Sequence, residues 1–576
     1  MNEPIMSETS DALFVAEPER AHLTSTDVLD RKWIDVNIPC KAACPVMTDV
    51  PGYIQAILEG DFETAYKINR RDNVFPHSLG RVCNRPCEPA CRHGREGLGE
   101  PVAICHLKRA SADFGYTPLD LEIVPNGKKV CVVGAGPAGL TAANDLAIKG
   151  YQVVVLEQYD EPGGMLRYGI PQFRLPYDVV AADVKSITDL GVEIRCNQRI
   201  DSEAQIELLK REYDAVILSG GCMLPSSVKL PGMDAHGFYW GLDFMMQANR
   251  ELLNDIKLNK VVVIGGGFTA VDCTRTSYRL GASEITLAYR RTKDKMSAGE
   301  PEIDCMEEEG IEMEFLVSPV EILAKDGKVT GIRLVRNRLE EGKPVAIPGS
   351  EFVIECDAVI MAIGQTNEDL PGTKEVPEVN EVPQKDNFFL AGDFRNGSGT
   401  VIEACADGRK VARRAHQYLS GIKGYQDVVH IEEIKLDQLP RTREDDFIPL
   451  TTMPHIPVSE RLAKNREVET GYTRELAQNE ARRCYLCHYN FQIDIDRCIY
   501  CMACIDAMPV DCIKLAKDID VGADGSLRYV SAAHWEEAQA ITIDNDKCIR
   551  CGNCVRACPV DCISISKYTL ETVEVE

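Results

Sequence analysis

Two kinds of residue here are suited to chemistry: cysteines at short intervals near both ends of the chain, and two glycine-rich turns between them. The cysteines surround Cys83, Cys87 and Cys91 near the start and Cys548, Cys551, Cys554 and Cys558 near the end. Thiolates at Cys-x-x-Cys spacing hold iron–sulfur clusters, which accept one electron at a time. The turns read Gly134-Ala-Gly136-Pro137-Ala138-Gly139 and Gly265-Gly-Gly267-Phe268-Thr269-Ala270, and each fits a dinucleotide. A nicotinamide moves two electrons together, and a flavin passes them singly or in pairs. A chain with both features reads as a converter between two-electron and one-electron transfer.

Strand–turn–helix units must position these turns. Lys129–Gly134 reads as a buried strand, Leu140–Ala147 as a helix and Tyr151–Glu157 as the next strand; the pattern restarts at Lys260. Gly134 permits the tight turn, Gly136 lets backbone approach a pyrophosphate, and Gly139 lets helix and strand pack closely. The helix start, with Pro137 and Ala138, offers free N–H groups to phosphate. Glu157 ends the second strand, where an acid accepts ribose hydroxyls. Downstream, Asn387–Asp393 reads as a strand ending in Gly392-Asp393, which returns to the first domain. Thr400-Val401 then opens a helix whose dipole faces the flavin N1–O2 edge. In the second turn no acid stands at the corresponding position; Ala288 does, followed by Tyr289, Arg290 and Arg291. Two arginines favour a 2′-phosphate, hence NADPH over NADH. The plain alternative is a solvated arginine pair.

The chain has 576 residues, 44% apolar and 27% charged, as in ordinary globular proteins, and room for three or four domains. Its net charge of −26 offers no basic stripe to nucleic acid. No apolar run approaches the roughly 20 residues of a membrane span, and the N-terminus has no export signal. The 24 cysteines therefore point to metal in a reducing cytoplasm rather than to disulfides.

The expected fold class is α/β: a helical N-terminal Fe–S domain, two interleaved Rossmann-like nucleotide-binding domains, and a C-terminal α+β ferredoxin-like domain. Boundaries fall at 1–30 (a mobile arm), 31–122 (helical Fe–S domain), 123–240 (first segment of the FAD domain), 241–376 (NAD(P)H domain) and 377–424 (second segment of the FAD domain). A connector follows over 425–487, ending in Cys484-x-x-Cys487, then the two-cluster domain over 488–576. The last contains a repeat: Cys501-x-x-Cys504-x-x-x-Met508-Pro-Val-Asp-Cys512 against Cys551-x-x-Cys554-x-x-x-Cys558-Pro-Val-Asp-Cys562.

Gly163–Pro171, the two turns, Gly80-Arg-Val-Cys83 and Ala391-Gly392-Asp393 resemble the glutamate synthase small subunit. They resemble equally the N-terminal half of dihydropyrimidine dehydrogenase and the large subunit of bifurcating transhydrogenases. Over about residues 36–420 the resemblance implies FAD in the outer domain, NAD(P)H in the inserted one, and hydride transfer by positioning, with no general base. It implies that Gly164, Met165, Leu166, Arg167, Gly169 and Ile170 line the flavin.

The family's first motif has four cysteines. Here only the last two remain, Cys40 and Cys44, with Lys32 and Asp35 in the first two slots. Cys484 and Cys487 resemble the missing pair, displaced far along the chain. The resemblance then implies one cluster on Cys40, Cys91, Cys484 and Cys487. A second falls on Cys44, Cys83 and Cys87, with Cys105 as fourth ligand and His106 as the substitute. Zinc, or membership of the C-terminal block, is the alternative for Cys484 and Cys487. At the far end the pattern resembles the bacterial two-cluster ferredoxin, where the fourth cysteine of each run serves the other cluster. That implies Cys498, Cys501, Cys504 and Cys558 for one cluster and Cys548, Cys551 and Cys554 for the other. Met508 is a poor fourth ligand for the latter; Cys512 replaces it, or else both Cys512 and its repeat partner Cys562 are small packing residues. The seven cysteines within the nucleotide domains read as buried structural thiols.

The expectation is an NAD(P)H:acceptor oxidoreductase carrying FAD and four [4Fe-4S] clusters, which serves a partner redox protein. Among fused chains of this order it is most similar to the iron–sulfur flavoproteins of reverse-type dissimilatory sulfite reductase, which implies that enzyme as partner. The alternatives are a glutamate synthase small subunit-like or bifurcating subunit, and a scaffold with degenerate catalysis. A homodimer stays open.

Overall fold

The computed structural model describes residues 31–576 apart from 95–98, 227, 254–257, 369, 371–385, 463–464 and 522–526; the arm at 1–30 and the boundary at 376 lie outside the described residues. The chain divides into two compact units. One holds residues through Thr117 together with Ser420–Thr452 and Gly471–Glu576; the other holds Pro118–Leu419 and Met453–Thr470. No helix among the described residues is long and apolar enough to cross a membrane.

The nucleotide unit contains two parallel sheets. The first runs Phe388–Leu390, Ala215–Leu218, Lys129–Val133, Gln152–Leu156, Glu193–Arg195. Its central strands are β-branched and buried on both faces, as crossover helices require. The second runs Phe238–Trp240, Ala358–Met361, Lys260–Ile264, Glu284–Tyr289, Glu312–Phe315, with apolar clusters on either side. An antiparallel meander over residues 317–354 follows it. The second sheet is inserted into the first, and the two crossings pair with each other: Leu224–Pro225 lies antiparallel to Gln365–Thr366. The insertion therefore begins near residue 224 rather than at 241, because Phe238–Trp240 already belongs to the second sheet.

The cysteine-rich unit is helical at first. The helices Val50–Leu58, Phe62–Asp72, Pro76–Val82 and Ile104–Gly115 pack together, and Arg474–Arg482 joins them from the far end of the sequence. Gly80 and Gly115 set their closeness: a Cβ on Gly80 would stand 2.6 Å from the Arg109 Cα, and one on Gly115 1.8 Å from the Phe62 carbonyl oxygen. Two small antiparallel sheets complete the unit, Gly424–Ile434/Ile563–Val575/Tyr489–Ile493 and Leu527–Ser531/Ile513–Val521/Ala540–Ile543. Residues 425–487 are thus not one connector. Their first strand pairs along the chain's last, Met453–Thr470 lies with the nucleotide unit, and the final helix builds the N-terminal core.

Candidate functional site

A cleft of about 400 Å³ opens at the carboxyl ends of the first sheet's strands, lined by Gly134, Gly136, Pro137, Ala138, Glu157 and Asp393, among others. Close packing shapes it. A Cβ on Gly134 would meet the Ser219 carbonyl oxygen at 2.5 Å, and one on Gly139 the Gly134 carbonyl oxygen at 2.0 Å. Gly164 stands against Gly136, whose Cα a Cβ would approach to 2.7 Å, so two backbones meet at this glycine turn. Gly392, at φ +67°, sits beneath Ala138 and donates its N–H to Asp407 at 2.6 Å.

Glu157 ends its strand buried. It accepts from the Ala135 N–H at 2.7 Å and from the Tyr159 N–H at 2.9 Å; burial pushes its carboxyl up and these donors restrain the shift. Burial raises Asp393 as well, against a lowering hydrogen bond from the Gly399 backbone. Thr400 and Val401 line the cleft at the start of the 20-residue helix Val401–Ser420, so its positive end faces the cavity. Of the loop after Gly163, Gly164, Met165, Gly169 and Ile170 reach the cleft. Leu166 and Arg167 do not line it: Leu166 is buried in the core, and the Arg167 guanidinium stacks 3.4 Å from the Tyr177 ring. Sequence reasoning missed Gly220, Gly221 and Cys222, which lie beyond the Ala215–Leu218 strand without any motif; the Cys222 thiol donates to the Asp393 carbonyl at 3.2 Å.

Phe268 and Thr269 line the same cleft from the inserted domain. Gly267 caps their helix, Ala270 is buried within it, and Gly265 and Gly266 precede it. Gly266 yields to a ring, since a Cβ there would stand 2.3 Å from Tyr289. Arg291 donates to the Tyr289 hydroxyl at 2.9 Å and Arg290 is exposed, so both follow the strand end beside this helix start. Asp272, one turn further along, also lines the cleft and pairs with Arg174 of the flavin domain at 2.7 Å. Burial raises its carboxyl to about 6, although Arg174 pulls the other way. Arg275, Arg279 and Glu309 extend this buried network.

In the cysteine-rich unit the thiols gather in four sets. Cys40, Cys91, Cys484 and Cys487 line one small cavity. Glu480 and Arg483 hold the displaced pair there. Glu480 is fully buried; it accepts from the Ala103 N–H and the Thr451 N–H at 2.8 Å each and pairs with Arg483 at 2.7 Å. Cys105 faces Cys83 and Cys87, with Cys44 beside them. His106 turns away to the Tyr472 hydroxyl, at 3.3 Å. The Lys108 ammonium is buried among these thiols; burial opposes its charge, and the sulfurs hold it protonated. Cys548, Cys551 and Cys554 surround Cys512, whose thiol faces Cys548. Met508 instead spends its sulfur on the Ile513 N–H, at 3.3 Å. Cys498, Cys501, Cys504 and Cys558 line the last cavity together with Cys562.

The backbone around these thiols fits clusters. The residue before the second cysteine is left-handed in Cys484-Tyr-Leu486-Cys487, Cys498-Ile-Tyr500-Cys501 and Cys548-Ile-Arg550-Cys551. Amide N–H groups point at sulfur from Leu486, Arg550 and Arg85, at 3.4, 3.4 and 3.5 Å. Such turns cost backbone energy and stabilise thiolates, which a metal demands. Burial raises the Cys40 thiol, and negative charge on its neighbours Cys487, Cys91 and Cys484 would raise it further. Of the seven cysteines in the nucleotide unit, six are buried and Cys196 is half-buried.

Fold and site define an NAD(P)H-dependent iron–sulfur flavoprotein oxidoreductase. Residues 128–408 match the pyridine nucleotide-disulphide oxidoreductase family, residues 34–117 the dihydropyrimidine dehydrogenase domain II with its 4Fe-4S cluster, and residues 541–564 the 4Fe-4S binding domain. The glutamate synthase [NADPH] small chain of Azospirillum brasilense is 35% identical over 416 residues, 66% of this chain and 86% of its own. The chain belongs to the family of that small chain. It is also similar to the NADP(+)-dependent formate dehydrogenase subunit beta of Moorella thermoacetica, with 35% identity over 79% of this chain and 71% of the relative. The NADPH-Fe(3+) oxidoreductase subunit beta of Geobacter sulfurreducens is 34% identical over 78% and 75%.

Proposed function

We propose that this chain is the electron-transferring subunit of a larger redox enzyme, carrying electrons between NADPH and a partner redox protein by way of FAD and four [4Fe-4S] clusters. Bound FAD supplies the exchange between a hydride and single electrons, and the clusters carry single electrons. The residues supply the positions. Gly134, Gly136 and Gly164 let backbone meet the pyrophosphate, Glu157 receives ribose, and the helix start at Thr400-Val401 favours negative charge on the flavin. Arg290 and Arg291 meet the 2′-phosphate, in keeping with relatives named for NADPH. Cys40, Cys91, Cys484 and Cys487 hold one cluster, Cys44, Cys83, Cys87 and Cys105 a second, Cys512, Cys548, Cys551 and Cys554 a third, and Cys498, Cys501, Cys504 and Cys558 the fourth.

The observation that carries this reading is the set of side-chain contacts that ties two thiol loops together inside the cysteine-rich unit. Arg441, 1% exposed, donates to the Cys484 carbonyl at 3.0 Å and to the Ile549 carbonyl at 2.8 Å, so one side chain joins two thiol loops. Arg92, beside Cys91, pairs with Asp546 at 2.8 Å. The second repeat's loop is thereby enclosed, with Ile549 1% exposed, while its counterpart Ile499 is 60% exposed. This polarity supports an inner cluster at Cys548 and an outlet at Cys498. Reverse-type dissimilatory sulfite reductase is the partner the fusion order favours; the formate dehydrogenase and Fe(3+) oxidoreductase names among the relatives favour other partner subunits at the same outlet.

The test is anaerobic reconstitution followed by NADPH titration. The expected result is about one FAD and about 16 irons per chain, flavin bleaching, and reduction of benzyl viologen by NADPH alone. Absence of bleaching would leave only a scaffold, and dye reduction that needs a third substrate would favour bifurcation.

A further inference from the structure

The repeat in the ferredoxin-like domain has a mismatch that the four-by-four assignment leaves over. In its first half the fourth cysteine is replaced by Met508, and the thiol four residues on, Cys512, faces Cys548, the first cysteine of the opposite run. In the second half both positions are cysteine, Cys558 and Cys562. Cys562 repeats the placement of Cys512: it is buried, lines the same cavity as Cys498, Cys501 and Cys504, and faces Cys498, again the first cysteine of the opposite run. Its sulfur lies 3.4 Å from that of Cys558, and its N–H points at the Cys558 sulfur at 3.4 Å. Five thiols therefore meet at a corner where a cubane takes four.

We propose that Cys558 and Cys562 are interchangeable ligands of one iron in the outlet cluster. This rests on the reading that these thiols hold a [4Fe-4S] cluster. In the exchange, the iron–sulfur bond to Cys558 breaks as one to Cys562 forms. The proton on the incoming thiol passes to the departing sulfur across their contact, and no iron changes oxidation state. The structure gives a reason for a spare thiol here. Cys501 is exposed and Cys558 half-buried, so solvent and oxidants reach this corner, whereas Cys562 is sheltered. The enclosed cluster has no such reserve: Met508 offers only a thioether, and its sulfur accepts from the Ile513 N–H.

Iron content and electron paramagnetic resonance of the reconstituted full chain test this. Cys558→Ala and Cys562→Ala should each keep the wild-type iron, and Cys558→Ala should shift the spectrum of one reduced cluster. The double variant should lose about four irons per chain or show the oxidised three-iron signal. Cys512→Ala should do the same alone. Cys558→Met rebuilds in the second half the arrangement the first half already has, and it should keep its iron even if the alanine variant folds poorly. Loss of a cluster in Cys558→Met would overturn the proposal, as would loss in Cys562→Ala alone. Wild-type protein with markedly fewer than about 16 irons would instead sink the cluster assignment beneath it, a result separable because it needs no substitution.

Discussion

Removing Cys484 and Cys487 together tests the placement that sequence distance makes least obvious. The pair lies roughly 390 residues beyond Cys91, yet lines the cavity of Cys40 and Cys91. If iron joins these four, the cluster staples both ends of the cysteine-rich unit. Loop-closure entropy for a span of that length is about 6 kcal/mol, and measured cross-links commonly deliver about 2–4 kcal/mol. The doubly substituted C484A/C487A chain should therefore carry about 12 irons in place of about 16. Its first urea transition should fall by an amount equivalent to a few kcal/mol, while FAD content stays at one per chain, since the flavin site uses none of these residues. Iron and acid-labile sulfide assays with a urea titration under argon read all three quantities. His106→Ala is the control: His106 faces Tyr472, so iron should not change. Unchanged iron in the double variant would refute the staple. Lost iron with an unmoved urea transition would refute the energetic argument and leave the ligation standing.

Gly408→Ala would drive a methyl to 2.2 Å from the Ala138 carbonyl oxygen, lifting the Val401–Ser420 helix off the phosphate turn. A cost of about 1–3 kcal/mol is expected, read as weakened FAD retention on gel filtration. Arg290→Ala with Arg291→Ala should raise the KM for NADPH about 10- to 100-fold, the worth of one or two charge-assisted hydrogen bonds, and leave NADH nearly unaffected. Asp272 carries a signed pH dependence. Its folded pKa of about 6 lies above the ordinary 3.8, so folding favours the protonated form. Its contribution is full below about pH 4 and is lost as pH rises through about 6, about 2–3 kcal/mol in all. Asp272→Asn should flatten the urea stability profile between those values; an unchanged slope would refute the assignment.

The nucleotide fold was legible because its signals are local. Buried Val runs, glycine turns and Glu157 each sit within a few residues of what they position, and parallel strands buried on both faces follow from them. The loop after Gly163 was only partly legible. Which of its residues face the cleft depends on the bend that Gly163 and Gly164 impose, so Leu166 turned into the core and Arg167 onto Tyr177. The boundary near 224 was hidden because Leu224–Pro225 and Gln365–Thr366 become a pair only in three dimensions. For the same reason Gly424–Ile434 read as connector: its partner is the last strand of the chain.

The thiol groups carry the same lesson into chemistry. Spacing alone left the choice between Met508 and Cys512 open, and left a packing role open for both Cys512 and Cys562. The structure adds grounds that spacing cannot encode: a thioether that already accepts an amide hydrogen bond, and a thiol that reaches across the pseudo-symmetric repeat to the first cysteine of the other run. Enclosure then separates two loops of near-identical sequence. Arg550 and Ile549 are each 1% exposed because Arg441 and Tyr489 bond to that loop, while Tyr500 and Ile499 have no equivalent enclosure among the described residues and stand open to solvent. An exposed cluster exchanges electrons with a docked partner at short range, and an enclosed one keeps its potential away from solvent. Under the proposed function the duplicated sequence serves two different tasks, and the difference lies in what packs against each copy.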